Sequence, residues 1–312
     1  MYPGSMLRPG STPILVRCPA KLNLFLEVVG KRADGYHELD TVMQAVSLWD
    51  ELRIEPTAGE ELSLECSDPS LPCDGGNLVV RAALALRGRT GCRRGARMML
   101  AKRIPAQAGL GGGSSDAAGA LLGLNRVWGL GLARADLCCI AAEVGSDVAF
   151  FLYGGTARCT GRGEVVAPLA FAATFHYIVV CPPWGVPTGD AYRRLGALTY
   201  RRASASILVD KAKAGNMDDS GRLVFNRLEE AAFGLRPELR QLKQRLLELG
   251  MFAGVAMTGS GSAIFGLCRP EDWERARQLC TRLDAGHVHA VRSIPDGVAI
   301  SAASGSEVAT WK

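Results

Sequence analysis

The chain has 312 residues, of which 48% are hydrophobic and 21% charged. That length points to about two domains, and that composition excludes a disordered or low-complexity chain. The formal charge of +5 is too mild to decide between partners, and ten cysteines without a single C-x-x-C pair exclude the usual zinc and thioredoxin-like sites.

Residues 14–29 open with a strand pattern. Ala20, Leu22, Leu24, Leu26 and Val28 are apolar at every second place, with Lys21, Asn23 and Glu27 on the other face. Lys21 and Asn23 therefore point the same way, about 6.6 Å apart along the strand. An amine and an amide so placed can orient a reacting oxygen, and a half-exposed strand with ordinary polarity is the alternative. No continuous apolar run precedes this strand between Met1 and Pro13, so no secretory leader is expected and the chain is read as reduced and cytoplasmic.

Ala33-Asp34-Gly35-Tyr36 reads as a turn, since Asp-Gly suits positive φ. Tyr36 and His37 follow it, either as stacking rings for a base or as ordinary strand-start residues. Strands are predicted at 37–47 and 52–66, a helix over 77–90 capped by Asn77, and a strand at 97–104. Between Asp74 and Asp116 every charged residue is basic, from Arg81 to Arg103. This run is either a solvated face or a field that draws in an anion. It lacks the interleaved aromatics of single-strand nucleic-acid binders, and no nucleic-acid partner is expected.

The strongest feature is Pro105-Ala106-Gln107-Ala108-Gly109-Leu110-Gly111-Gly112-Gly113-Ser114-Ser115-Asp116. Glycines let backbone N–H groups close round an anion, and a helix that follows directs its positive end there. Ser114 and Ser115 add hydroxyls for a phosphate or a metal. No lysine follows the glycines, so this is not a Walker loop. The Rossmann spacing fails as well, because Ser114 stands at the third glycine position.

Helices are predicted from Ala117 to Trp128 and over 134–144, closed by Gly129 and Gly145. Asp147, in Gly145-Ser146-Asp147-Val148, is either a helix cap or a general base. Beyond it come a strand at 177–181, a poorly patterned loop over 200–222 and a helix over 237–249 begun by Pro237. The segment 253–267 reads as strand, Thr258-to-Ala263 turn, strand. His287 and His289 lack a third partner and read as a surface strand, so no metal-ligating residue is assigned. The tail after 302 reads as frayed. Strands and helices mix without regular βαβ alternation, which favours an α+β fold. The division falls between 1–172 and 173–312.

Three segments together resemble the GHMP kinases: Pro19-Ala20-Lys21-Leu22-Asn23-Leu24-Phe25-Leu26, the glycine loop 105–116, and Met257-Thr258-Gly259-Ser260-Gly261-Ser262-Ala263-Ile264-Phe265-Gly266. Gly30 to His37, Gly145 to Val148 and Gly154 to Arg158 narrow the likeness to members that act on a cytidine compound. The resemblance implies a two-domain fold with its active site in the interdomain cleft. It implies ATP and Mg²⁺, with the ATP phosphates held by residues 105–115, Asp147 as base and Lys21 as its partner. It also implies that Asn23, Tyr36, His37 and Asp147 hold a small cytidine-bearing substrate, with Tyr192 as the second ring against the base. No membrane partner is implied, and the protein is expected as a monomer or homodimer. Arg227 departs from the usual Asn-Asp-Leu-Glu pattern, Ala149 replaces a common proline, and Cys18 replaces a small residue.

Overall fold

The computed structural model describes residues 12–171, 173–195 and 204–302. The start of the N-terminal segment, the boundary at 172, positions 200–203 and the tail beyond 302 lie outside these residues.

Strands β1 (Ile14–Lys31) and β2 (His37–Thr57) form a long antiparallel hairpin. Its turn is closed by Asp34, whose Oδ1 accepts the Tyr36 N–H at 3.1 Å, and by Gly35 at φ 87°. The periodicity predicts separate strands at 37–47 and 52–66, whereas β2 runs unbroken to Thr57 and is followed by a separate β3 (Leu62–Cys66). Nothing between Ser47 and Glu55 breaks a strand, whereas Gly59 sits where the chain turns. The length of β2 is used in two halves. Residues 39–44 pair with β5 (Thr156–Gly161), and residues 51–57 pair with β4 (Gly95–Ala101).

Helices α1 (Leu78–Thr90), α2 (Gly112–Trp128), α3 (Arg134–Val144) and α4 (Val148–Tyr153) bury their apolar faces against this sheet. Asn77 caps α1 as predicted, its side chain accepting from Val79 N at 2.9 Å. Helix α2 comes unusually close to the sheet. A Cβ on Gly119 would stand 2.5 Å from Cys18 Sγ, and one on Gly123 would stand 2.4 Å from Ile54 Cδ1.

After β6 (Val165–Leu169) the chain enters a second sheet, made of β7 (His176–Cys181), β9 (Gly254–Met257), β10 (Ile264–Cys268) and β11 (His287–Arg292). Its order is β11-β7-β10-β9, all antiparallel. Helices α5 (Thr188–Arg193), α6 (Ala205–Lys213), α7 (Met217–Arg222), α8 (Glu229–Leu235), α9 (Pro237–Glu248) and α10 (Trp273–Thr281) complete this half. Two short strands return to the first sheet: β8 (Phe225–Asn226) beside Phe25 and Leu26, and β12 (Ala299–Ala302) beside Ile14 to Arg17. The loop expected over 200–222 is instead the helix pair α6 and α7 where it is described. Ala205, Leu208, Val209 and Ala212 form a short buried stripe, and Ser204 and Asn216 cap the two helices. So short a stripe among Lys and Ala is weak evidence in sequence, and packing supplies the helix.

Ala20, Leu22 and Phe25 meet Tyr177, Val179 and Phe265 between the two sheets. No helix among the described residues is long and apolar enough to cross a membrane. His287 lies exposed on edge strand β11, and no metal-ligand cluster occurs among the described residues. The basic run is dispersed: Arg89, Arg93 and Arg97 face Glu143, Glu60 and Glu65 at the surface, while Lys102 turns inward.

Candidate active site

A cavity of about 1180 Å³ opens between the first sheet and the segments around α5 and the β9–β10 turn. Lys21 and Asn23, Tyr36 and His37, the glycine loop, Asp147, and Gly259 with Ser260 all line it, whereas the Gly154–Arg158 motif does not.

Lys21 is 3% exposed and sits at the bottom of this space on β1. Its Nζ donates to Asn23 Oδ1 and lies 3.6 Å from Asp147 Oδ2. Asp147 occupies the N-cap position of α4 but makes no side-chain cap bond. Its carboxylate, 27% exposed, is left for Lys21 and the cavity. Burial disfavours the ammonium and lowers the Lys21 pKa, and Asp147 opposes that shift.

Asn23 is fixed from three sides. Its side-chain amide donates to Thr41 Oγ1 at 2.9 Å, and its backbone N–H donates to Thr258 Oγ1 at 3.0 Å. The Thr258 hydroxyl in turn lies 3.3 Å from both Asn23 Oδ1 and the Gly109 carbonyl. Thr258 thus joins strand β1, the glycine loop and the β9–β10 turn. In sequence it reads only as part of a small-residue turn.

The glycine loop wraps this joint. Lys21 N donates to the Leu110 carbonyl at 2.9 Å, and Ala263 N donates to the Ala108 carbonyl at 3.1 Å. Gly109 and Gly111 have φ of 77° and 73°, which favour glycine. A Cβ on Gly109 would lie 2.1 Å from the Thr258 carbonyl oxygen, so no larger residue fits there. Gln107 also takes positive φ, at 53°. Pro105 to Ser114 all line the cavity, and α2 starts at Gly112 with its first N–H groups at the wall. Ser115 is the exception. It is fully buried behind the wall, and its hydroxyl has no partner.

Beneath the loop lies a group that the sequence left inside the basic run. Lys102 Nζ donates to Asp50 Oδ2 and, at 2.7 Å, to Asp116 Oδ2. Asp50 Oδ1 accepts the Arg103 and Ile104 N–H groups at 2.5 and 2.9 Å. Burial pushes Asp116 up to about 8, against the pull of Lys102. Burial also disfavours the Lys102 ammonium, but the two carboxylates outweigh it and raise its pKa.

At the other end of the cavity stand Tyr36, His37 and Tyr192. His37 and Tyr192 stack, with centroids 5.0 Å apart and planes at 26°. Burial and Lys31 hold the His37 imidazole below its usual value. Tyr36 does not meet Tyr192 in a ring contact. Its ring lies under the Arg162 guanidinium at 4.9 Å. Arg162 lies between Gly161 and Gly163, outside the motifs that carry the family likeness. A cation framed by glycines just after the Gly154–Arg158 motif is the signal that marks it.

A glycine-rich loop at a helix start, with a Lys–Asp pair in one cleft between two sheets, is the arrangement of a class of small-molecule kinase. The family descriptions for the GHMP kinases N terminal domain and the GHMP kinases C terminal domain match residues 77–155 and 208–285. The chain belongs to the GHMP kinase family. It is 43% identical to the 4-diphosphocytidyl-2-C-methyl-D-erythritol kinase of Pelotomaculum thermopropionicum, over 84% of this chain and 91% of that one. It is 38% identical to the enzyme of the same name from Shouchella clausii, over 89% and 94%. A crystal structure of 4-(cytidine 5'-diphospho)-2C-methyl-D-erythritol kinase superposes with a TM-score of 0.75 at 36% identity, covering 89% of this chain and 98% of that one. Homoserine kinase from Cytophaga hutchinsonii, at 22% identity and a TM-score of 0.74, shares the fold.

Proposed function

We propose that this cavity moves the γ-phosphoryl group of ATP onto the 2-hydroxyl of 4-diphosphocytidyl-2-C-methyl-D-erythritol, a step of the non-mevalonate route to isoprenoid precursors. The observation that carries the reading is the buried Lys21 beside an uncapped Asp147, in one cavity with the glycine loop. The 38–43% identity to kinases of that name supports the substrate.

In this reading Asp147 takes the hydroxyl proton as the oxygen attacks the γ-phosphorus. The bond from phosphorus to the β–γ bridging oxygen breaks, and ADP leaves with that oxygen. Lys21 holds the carboxylate and the hydroxyl in register and offsets the alkoxide charge. Residues 105–114 cradle the ATP phosphates, with backbone N–H groups at the start of α2, and Ser115 stands behind that wall rather than in it. The Ser114 hydroxyl would help to hold Mg²⁺ bound with ATP, and the ion would supply neutralisation of phosphate charge. Asn23, Tyr36 and His37 hold the cytidine end, with the base against the open face of Tyr36 and Tyr192 closing the pocket. The division into 1–172 and 173–312, the cytoplasmic setting and a monomeric or homodimeric state complete the reading.

The test is a mass-spectrometric assay with ATP, Mg²⁺ and 4-diphosphocytidyl-2-C-methyl-D-erythritol. Product one phosphoryl group heavier is expected. Asp147→Asn should bind ATP and lose roughly 10²–10⁴-fold in turnover. Near-normal turnover in that variant rejects Asp147 as the base. No product from the wild type, with ATP still bound, moves the acceptor to another small alcohol.

A further inference from the structure

The proposed substrate has a fixed order of parts: base, ribose, diphosphate, then the branched polyol that is phosphorylated. If the base lies at Tyr36 and the reacting hydroxyl at Asp147, the diphosphate must cross the cavity wall between them. That segment carries two negative charges and needs a cation there.

Five cations line the cavity among the described residues: Lys21, Lys31, Lys102, Arg162 and Arg193. Lys21 serves the reacting end, and Lys102 is committed to Asp50 and Asp116. Arg193 is 77% exposed and paired with Asp190, and Lys31 is exposed. Arg162 is different. It is 25% exposed and covers one face of Tyr36 at 4.9 Å. The next residue, Gly163, approaches Asp147 so closely that a Cβ would stand 3.2 Å from Oδ1. The Arg162 guanidinium therefore sits at the base end, one residue along the chain from the backbone that meets Asp147.

Its side chain is held but not exhausted. Nη2 donates to the Ala142 carbonyl at 3.1 Å, and Nε lies 3.9 Å from Glu164. A guanidinium has five N–H donors in a planar fork. The Glu164 carboxylate is already met by the Arg162 backbone N–H at 2.6 Å. Donors thus remain for an anion in the cavity.

We propose that Arg162 grips the diphosphate linking the cytidine and polyol ends of the substrate, and so makes the site prefer a nucleoside diphosphate to a nucleoside. This rests on the cytidine-substrate reading above. Lysine would not replace it fully, since an ammonium neither forks onto a diphosphate nor stacks on a tyrosine ring.

The experiment is calorimetric titration of the full chain with CDP and with cytidine, for the wild type, Arg162→Ala and Arg162→Lys. The wild type should bind CDP more tightly than cytidine. Arg162→Ala should weaken CDP by roughly 10- to 100-fold, as expected for lost charge-assisted hydrogen bonds, and cytidine far less. Arg162→Lys should fall between. Cytidine binding by the variants also reports that they are folded. If CDP and cytidine weaken equally, Arg162 only supports Tyr36 and the diphosphate role is wrong. If the wild type binds both but does not favour CDP, the Arg162 inference fails alone. If the wild type binds neither, the cytidine reading falls and takes this inference with it.

Discussion

Asp116 is the residue where charge and burial conflict most sharply. It shares one ammonium, Lys102, with Asp50, and its second oxygen has no partner. Two ionised carboxylates on one buried lysine leave a net negative charge away from water, so a retained proton is favoured. The folded chain holds that proton up to about pH 8, against 3.8 for an ordinary aspartate. Between those values the folded state binds more protons than the unfolded chain, so stability falls as pH rises through the window. Asp116→Asn keeps the shape and cannot ionise, while Lys102 keeps Asp50. Denaturation at pH 6 and pH 9 should show a clear loss for the wild type and a smaller one for the variant. Equal losses would remove Asp116 as the cause. None of this is legible in sequence, where Asp50, Lys102 and Asp116 are separated by 52 and 14 positions.

The glycine loop and α2 behave as one element, and their glycines are not equivalent. Gly111 has φ 73°, and a Cβ there would stand 2.8 Å from Phe151 Cζ and 3.0 Å from Lys21 Cγ. Gly113 has ordinary helical φ, and its nearest neighbour would be Leu78 Cδ1 at 3.5 Å. Gly111→Ala should therefore cost about 1–2 kcal/mol from backbone strain alone, and more from displacing Phe151 and Lys21. Gly113→Ala should be neutral or up to about 1 kcal/mol stabilising, because alanine is the better helix former. Thermal melts of the two variants side by side check this, and equal melting temperatures would contradict it. The sequence shows four glycines in five positions and a helix after them. It does not show which of them must be glycine, because that depends on what packs against each.

At the scale of the molecule, the two halves are joined through strand β1. Arg227 donates through Nε and Nη2 to Glu27 Oε1 and Oε2 at 2.6 and 2.8 Å. Glu27 is 2% exposed on the polar face of β1, and Arg227 follows β8, so the pair fastens the C-terminal half to the first sheet. Next to it, the Asn226 side-chain amide donates to the Met257 and Gly259 carbonyls, both at 2.7 Å. Arg227→Ala leaves a buried carboxylate without its cation and should cost about 3–5 kcal/mol. Replacing both, as Glu27→Leu with Arg227→Met, should recover most of that loss. Urea denaturation of the single and double variants measures the coupling, and additive losses would dismiss the pair as a fastening.

The sequence by itself determined the strand that carries Lys21 and Asn23, the capped helix α1, the glycine loop before α2, and the family likeness. These are written in local periodicity, in turn residues and in short motifs, which neighbours along the chain decide. Only the tertiary structure decided that β2 runs unbroken to Thr57, that 205–222 is helical, and that Asp147 spends its carboxylate on Lys21 rather than on a cap. The same holds for Thr258 as the joint between β1 and the glycine loop, and for the placement of Arg162 on Tyr36. Each of these depends on partners far away in sequence, and burial gives such contacts their strength without leaving a local pattern to read.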